Sequence, residues 1–317
     1  MRSPAGGAAG VVEYVLRRLV LIVPTIVVIS IIVFFMLYLT PGDPAIIYLG
    51  DTPATPERLA QIRHAMGLDR SLLVQYLSYI QRVARGDLGR SLRTTASVLG
   101  EIEYRAPSSA ELAVAAFAVT LVLGIGLGVV AALWRSTWID VGAMLVALLG
   151  VSMPIFWLGL MLIFIFSLEL GWFPATGFGG WQRLVLPAVT LGLLTSATLA
   201  RLARSSVLEI LWQPYIRTAR SKGLAEARVV SRHVMRNVVI LLITVAGLQL
   251  GELLSGAVIT ETVFARPGIG KLLVDAILNK DFPVVQGVVL LIAIMYTVIN
   301  LLVDVSYAYF DPRIRFE

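Results

Sequence analysis

Residues 267–271, Pro-Gly-Ile-Gly-Lys, set two glycines before a lysine. In that spacing backbone N–H groups can cradle a phosphate while the lysine reaches it. The pattern fails at both ends. Position 265 is Ala where the loop needs its first glycine, and Leu272 stands where a Ser or Thr would hold magnesium. Gly124-x-Gly-x-Gly128 is a second decoy, because these glycines sit inside a long apolar run; Gly124 and Gly128 offer a small face for close helix packing instead. His64 and His233 are expected on opposite sides of a membrane, which leaves no metal pair and no Ser-His-Asp relay, and His233 reads as a solvated loop residue. There is no cysteine, so no disulfide, thiolate site or cysteine nucleophile arises, and cysteine usage says nothing of the redox compartment. The chain therefore reads as non-catalytic, without a metal or other cofactor of its own. What remains is a polar stripe in apolar surroundings: Gln249, Glu252 and Ser255 recur every three residues, beside the small residues Gly247 and Gly251.

The elements that position these residues must lie in lipid. Fifty-eight per cent hydrophobic residues, 15% charged residues and a mean hydropathy of +0.85 over 317 residues exclude a soluble domain, where about 25% charge is usual. The net charge of +6 suits cationic cytoplasmic loops, and nucleic acid is set aside as a partner. A spanning helix needs roughly 20 apolar residues. Charge-free runs cover 19–39, 112–134, 141–168, 184–200 and 282–303, and 237–260 holds a single charge, Glu252. These are six candidate helices, so both ends are expected on one side. Pro24, Pro154 and Pro187 fall inside spans, where neighbouring helices can satisfy the freed carbonyls. The first run follows Arg17-Arg18 but exceeds a signal-peptide core and has no A-x-A site, so it reads as an uncleaved anchor.

Orientation follows from Lys and Arg in short loops. With the N-terminus inside, the cytoplasmic side receives Arg2, Arg17, Arg18, Arg135, Arg204, Arg217, Arg220, Lys222, Arg228, Arg232, Arg236, Arg313 and Arg315. The opposite short loops hold only Arg183, Arg266, Lys271 and Lys280. The first loop, 41–108, is rich in arginine on the outer side, but it is long enough to be translocated regardless of charge. It reads as folded: Thr55-Pro56-Glu57 starts a helix that Gly67 stops, and a second helix over 71–85 sets Leu73, Leu77, Ile80 and Ala84 on one face. Such a cap can cover a pore mouth, receive a soluble partner, or merely pack on the membrane domain.

Between spans four and five, residues 212–237 carry a cluster of basic residues. Pro214 can start a short helix with Tyr215, Ile216 and Ala219 on one side, and Gly223 supplies the left-handed residue that ends it. Two readings stand: a helix whose small, partly apolar face fits another protein's groove, or a basic helix held at anionic lipid.

Arg217-Thr-Ala-Arg-Ser-Lys-Gly-Leu224 resembles the loop carrying the EAA motif of ABC-importer permeases, in the form found in the dipeptide/oligopeptide permease family. The similarity continues in order through Leu39-Thr-Pro-Gly-Asp-Pro44, Gly67-Leu-Asp69, Arg85-Gly-Asp-Leu-Gly-Arg-Ser91, Gly171-Trp-Phe-Pro-Ala-Thr-Gly177, Glu261-Thr-Val-Phe264, Pro267-Gly-Ile-Gly270 and Asp311-Pro-Arg-Ile-Arg315. These resemble the B-type permease subunit, the binding-protein-dependent transport system inner membrane component. Two positions depart from the pattern. Leu241 replaces a proline after Arg236-Asn-x-x-Ile, and Arg266 replaces a commoner tryptophan, so the helix start and the outer loop there are expected to differ in detail.

The resemblance implies an all-α integral membrane fold of six transmembrane helices, the type I ABC importer permease fold with an extracytoplasmic helical cap between helices 1 and 2. By that likeness residues 1–40 hold the N-terminal segment and first helix, 41–96 the cap, 97–304 the core and 305–317 a cytoplasmic tail. Within the core, helices are expected at about 109–134, 139–168, 182–204, 237–260 and 282–305, with a coupling loop at 205–236. The implied partners are a second permease subunit of similar fold, two cytoplasmic ABC ATPase subunits that hold ATP and magnesium, an extracytoplasmic substrate-binding protein, and membrane lipid. Tyr215, Ile216, Arg217, Ala219, Gly223 and Leu224 are then the ATPase-coupling residues, and the location is the cytoplasmic (inner) membrane with both termini cytoplasmic. The implied cargo is a di- or oligopeptide; relatives on the same scaffold carry nickel chelates, glutathione or other small solutes.

An ion-coupled secondary transporter would place several ionisable groups at the midplane, and Glu252 alone stands in a run. It lies about 22 Å along its helix, past the middle toward the outer leaflet. A carboxylate facing lipid is costly, so Glu252 is expected to face the bundle or a watery path. There it either pairs with a hydroxyl or a cation on the second permease, or lines the pathway with Gln249 and Ser255 and meets the amino terminus of a passing peptide.

Overall fold

The computed structural model describes residues 5–39, 43–49 and 55–310. The motif at 39–44 is only partly covered, and the motif at 311–315, with most of the expected tail, lies outside the described residues. α1 (Ala5–Leu39) is followed by three short helices, α2 (Pro44–Leu49), α3 (Pro56–Met66) and α4 (Leu72–Ala84), which form the cap. Then come α5 (Val98–Leu133), α6 (Trp138–Ser152), α7 (Ile155–Leu162), which runs on as π-helix Ile163–Glu169, and α8 (Gln182–Leu211). α9 (Pro214–Ser221) is short. α10 (Glu226–Arg228) leads through π-helix Val229–Val234 into α11 (Met235–Val263), and α12 (Ile269–Leu278) and α13 (Phe282–Phe310) follow. Among the described residues extended pairing is limited to one antiparallel bridge, Arg90 with Ser97. The fold is all-α.

Among the described residues five helical segments are long and apolar enough to cross a bilayer: Val20–Leu39, Val98–Leu133, Gln182–Leu211, Glu226–Val263 and Phe282–Val303. The sixth run, 141–168, is not one straight span. It breaks between Ser152 and Ile155 with a bend of 114°. Met153 is extended (φ −105°, ψ 140°) ahead of Pro154, because a residue before proline is pushed out of the α region and the proline nitrogen has no hydrogen to donate. The sequence expectation that neighbours would carry a continuous helix through Pro154 is corrected here. α5 and α8 also run well beyond their apolar cores, and α5 starts where Ser97 Oγ caps it by accepting from the Gly100 N–H at 3.1 Å.

Small residues bring the central helices together. A Cβ added at Gly128 would lie 2.5 Å from the Ala200 carbonyl oxygen and from Ala203 Cβ, and one at Gly192 would lie 2.7 Å from the Ala116 oxygen. α5 and α8 therefore meet backbone to backbone, the approach that drives helix association where lipid removes the hydrophobic force. At that seam Thr120 Oγ1 and Thr195 Oγ1 are 2.6 Å apart, and Gln249 Nε2 of α11 donates to the Thr195 carbonyl at 3.1 Å. α1 lies against α13, where Gln286 Nε2 donates to the Val33 carbonyl at 3.1 Å.

In the cap, Thr55 Oγ1 accepts from the Arg58 N–H at 3.4 Å, Pro56 takes the first helical position, and Gly67 at φ 69° ends α3. α4 departs from the expected face. Leu73 and Leu77 are exposed, and the buried side is Tyr76, Tyr79, Ile80 and Val83, packed on Val33 and Phe34 of α1. Tyr76 OH lies 2.9 Å from Ser30 Oγ, a bond that the leucine side of the helix cannot make.

Candidate coupling segment and pathway face

α8 ends at Leu211, and Gln213 is extended (φ −67°, ψ 144°) so that Pro214 starts α9 at an angle to it. The sequence set Tyr215, Ile216 and Ala219 on one side as a face offered to a partner. The structure turns two of them inward. Ile216 is fully buried and Ala219 nearly so, within a cluster with Leu199, Val207, Val229, Val234 and Val238, and Leu224 packs on the same cluster. These three fasten α9 to the bundle. An apolar side chain with its own core in reach is better buried there than left in water, so the outward face is the polar one.

That face holds Arg217, Thr218, Ser221 and Lys222, with the half-exposed Tyr215 at its edge. Tyr215 OH accepts from Asn237 Nδ2 of α11 at 3.1 Å. Arg220 reaches Glu226 through Nε and Nη2 at 3.0 and 2.5 Å, so its charge is matched within the chain, while no ion pair occupies Arg217 or Lys222 among the described residues. Gly223 stands at φ +76° and its N–H donates to the Arg220 carbonyl at 2.9 Å. No atom lies within 4 Å of where its Cβ would be, so the demand for glycine is one of backbone conformation.

Above this base, α8 is clamped to α6. Asp140, 6% exposed, accepts from Arg204 Nε and Nη2 at 2.7 Å each and from the Ser136 N–H at 3.0 Å. The pair ties α8, whose end leads into α9, to α6. The sequence marked Arg204 only as a cytoplasmic charge; Asp140, within three residues of the helix start, was the unread signal.

The polar stripe of α11 divides. Gln249 is buried against α8, while Glu252 and Ser255 are exposed on the same open face as Leu248 and Ile259. Successive members of an every-third pattern drift by about 60° around a helix, so three of them span two environments. Ser255 also lines a groove of 520 Å³ with α1 and α13, which includes Tyr296, Thr297 and Asn300. Glu252 is thus the acid of an exposed face, and the buried acids among the described residues are Asp140, Glu261 and Asp281.

Glu261, fully buried at the other end of α11, was quoted only within a motif. Its carboxylate accepts from Ser109 Oγ at 2.5 Å and from the backbone N–H groups of Gly270 and Lys271 at 2.7 and 3.1 Å. A Cβ at Gly268 would lie 2.1 Å from that carboxyl group. The motif that mimicked a phosphate loop therefore does hold an N–H cradle, made by Gly270 and Lys271 at the start of α12 and filled by the chain's own Glu261. Arg266 beside it is fully buried, donates to Glu111 Oε2 at 2.6 Å and to the Ser108 carbonyl at 3.3 Å, and lies 5.1 Å from the Phe178 ring centre. Leu241 lies inside α11 with a helix already running before it. Among the described residues no group of three or more His, Cys, Asp or Glu comes together as a metal site.

Two family models together match nearly the whole chain. Residues 124–316 match the binding-protein-dependent transport system inner membrane component, and residues 11–123 match its N-terminal counterpart. Among curated relatives, the di/tripeptide transport system permease protein DppB of Pseudomonas aeruginosa is 41% identical over 333 residues, covering 96% of this chain and 99% of the relative. The glutathione transport system permease protein GsiC of Salmonella choleraesuis is 41% identical over 305 residues, with the same coverage of 96% and 99%.

Proposed function

The chain belongs to the family of binding-protein-dependent transport system inner membrane components, and from that membership we propose that it forms half of the pathway through which an ATP-driven importer carries di- or oligopeptides. It is a membrane permease subunit and not itself the catalyst. A second permease of similar fold would complete the pathway, two ABC ATPase subunits would hold ATP and magnesium at the cytoplasmic face, and an extracytoplasmic binding protein would deliver the cargo. Both termini would lie in the cytoplasm, as the arginines of the short loops favour.

The observation that carries this proposal is the match of residues 11–316 to the two family models, together with 41% identity over 96% of the chain to a permease named for di/tripeptide transport. The geometry adds how coupling would work. α9 would present Arg217, Thr218, Ser221 and Lys222 to the ATPase, with Ile216, Ala219 and Leu224 holding the helix so that a push on it reaches α8 and, through Arg204 and Asp140, α6. Glu252 and Ser255 would face the pathway or the second permease, since a carboxylate left in lipid is costly. Glutathione is a second cargo that the likeness to a glutathione permease supports, and it too is a peptide-like solute with a free amine.

Affinity purification of the chain from its native membrane tests the assembly. ATPase subunits should co-purify with the wild type and be lost when Arg217 and Lys222 are both changed to Glu, with the permease level unchanged. Retention of the ATPases by that variant would refute the docking face. For topology, a membrane-impermeant thiol label should reach a single cysteine at position 69 and not one at position 222 in intact cells; the opposite pattern would invert the orientation.

A further inference from the structure

Under the cap, at the end of the bundle where α1 meets α13, lies a cavity of 410 Å³ that the transport reading does not use. Its apolar wall is Phe34 and Leu37 of α1 with Phe282 and Pro283 of α13, and its rim brings together Arg70, Arg82 and Arg90. Among the described residues none of these three arginines is ion-paired. Arg90 donates only to the Thr95 carbonyl, at 3.3 Å. Besides a tyrosine, two other titratable groups line the cavity. Asp87 accepts from the Gly89 N–H at 2.9 Å, and His64 is held by Asp69 at 2.6 Å. The cavity is therefore cationic, with three guanidinium groups against one free carboxylate.

Tyr79 also lines it. The side chain is nine-tenths buried, and its hydroxyl is out of water with no hydrogen-bond partner. A buried hydroxyl left unmade costs about 1–3 kcal/mol, so a ligand oxygen at this place would remove a standing penalty. Burial pushes the hydroxyl up to about 12, with Arg82 pulling it down, so it is a neutral donor at physiological pH.

We propose that this cavity binds the phosphate of an anionic phospholipid from the leaflet on the cap side, with Arg70, Arg82 and Arg90 around the headgroup and Tyr79 donating to it. Two observations favour an amphiphile over a soluble anion. The wall is aromatic and aliphatic where the rim is basic, and it sits on a helix, α1, that exposes Ile31, Ile32, Phe35 and Leu39 to its surroundings. Clustered arginines beside a membrane recognise anionic headgroups through charge and the planar donor fork that matches a phosphate. Such a lipid would brace the cap against α1 and α13, and it does so whatever the cargo is.

The test uses the full chain in nanodiscs of phosphatidylcholine containing phosphatidylglycerol, with the lipid retained on release counted by native mass spectrometry. The wild type should retain phosphatidylglycerol over phosphatidylcholine. Arg70→Gln with Arg82→Gln should lose that preference, each arginine counting for roughly five-fold as is usual at an anionic surface. Tyr79→Phe, which breaks no bond within the protein, should lower retention by roughly five-fold, the worth of one hydrogen bond, and Arg85→Gln, outside the cavity, should change nothing. Equal retention of the two lipids by the wild type, or an unchanged preference in the double variant with its helicity intact, would overturn the proposal. So would displacement by millimolar glycerol phosphate, which would make the ligand a soluble phosphate. Lipid-independent capture of the binding protein that needs Arg70 and Arg82 would make the cavity a protein dock and overturn it equally.

Discussion

Gly126 and Gly128 lie two residues apart in α5 and carry opposite predictions for the same substitution. At Gly128 a new Cβ would stand 2.5 Å from both the Ala200 oxygen and Ala203 Cβ, whereas ordinary contact begins at 3.4 Å. α5 and α8 would have to part by roughly 1 Å along a close-packed seam that has no slack. Overpacking of this kind costs about 1–3 kcal/mol, offset by the roughly 0.5–1 kcal/mol that alanine gains over glycine in a helix. At Gly126 nothing lies within 4 Å of the Cβ position, and only the helix gain of about 0.5–1 kcal/mol applies. Gly128→Ala should therefore be less stable than Gly126→Ala by about 2 kcal/mol. Thermal unfolding in detergent, followed by helicity on the purified chain, reads the difference. Equal stability of the two variants, or a more stable Gly128→Ala, would refute the backbone-to-backbone packing of α5 on α8.

Three further outcomes follow from the base and the open face. Asp140→Asn removes the charge that Arg204 faces; Arg204 is about one-third exposed, so the loss should be about 1–2 kcal/mol rather than the 3–5 of a fully buried pair, read by the same unfolding assay. Gly223→Val should cut uptake sharply at unchanged membrane level, because a β-branched residue resists φ +76°, and Gly223→Ala should fall between it and the wild type; full transport by the valine variant would remove α9 from the coupling path. Glu252→Gln should lower peptide uptake while assembly and basal ATPase activity persist, and loss of assembly instead would assign Glu252 to the contact with the second permease.

Much of the fold was legible in residue patterns because lipid imposes long apolar runs and because the start and stop of α3 are written in Thr55, Pro56 and Gly67. Runs of apolar residues, however, carry no information on direction. The bend at Met153-Pro154 was read as a tolerated proline, although the residue before proline is the one forced out of the helix. The face that α9 buries was misjudged for a related reason. Periodicity shows that Ile216 and Ala219 share a side, but only the positions of Val207, Val229 and Val234 decide that this side points home. The polar ties between distant segments were invisible for a simpler cause. Glu261 with Ser109, Asp140 with Arg204, and Asp281 with Ser91 at 2.5 Å join residues far apart in the chain, and each acid alone looked like an ordinary helix end. The glycines at 268 and 270 were dismissed as a failed phosphate loop, whereas the N–H groups of Gly270 and Lys271 do cradle an anion, Glu261, seven residues upstream of Gly268.

The central claim is that this chain is half of a pathway driven by ATP through α9. Its most direct test is uptake into proteoliposomes that hold the complete complex, with the binding protein and a radiolabelled peptide panel outside and ATP trapped within. The account predicts uptake of di- or oligopeptides that requires internal ATP and the binding protein and is lost in Gly223→Val. Uptake driven by an ion gradient without ATP, or uptake that ignores the binding protein, would contradict it.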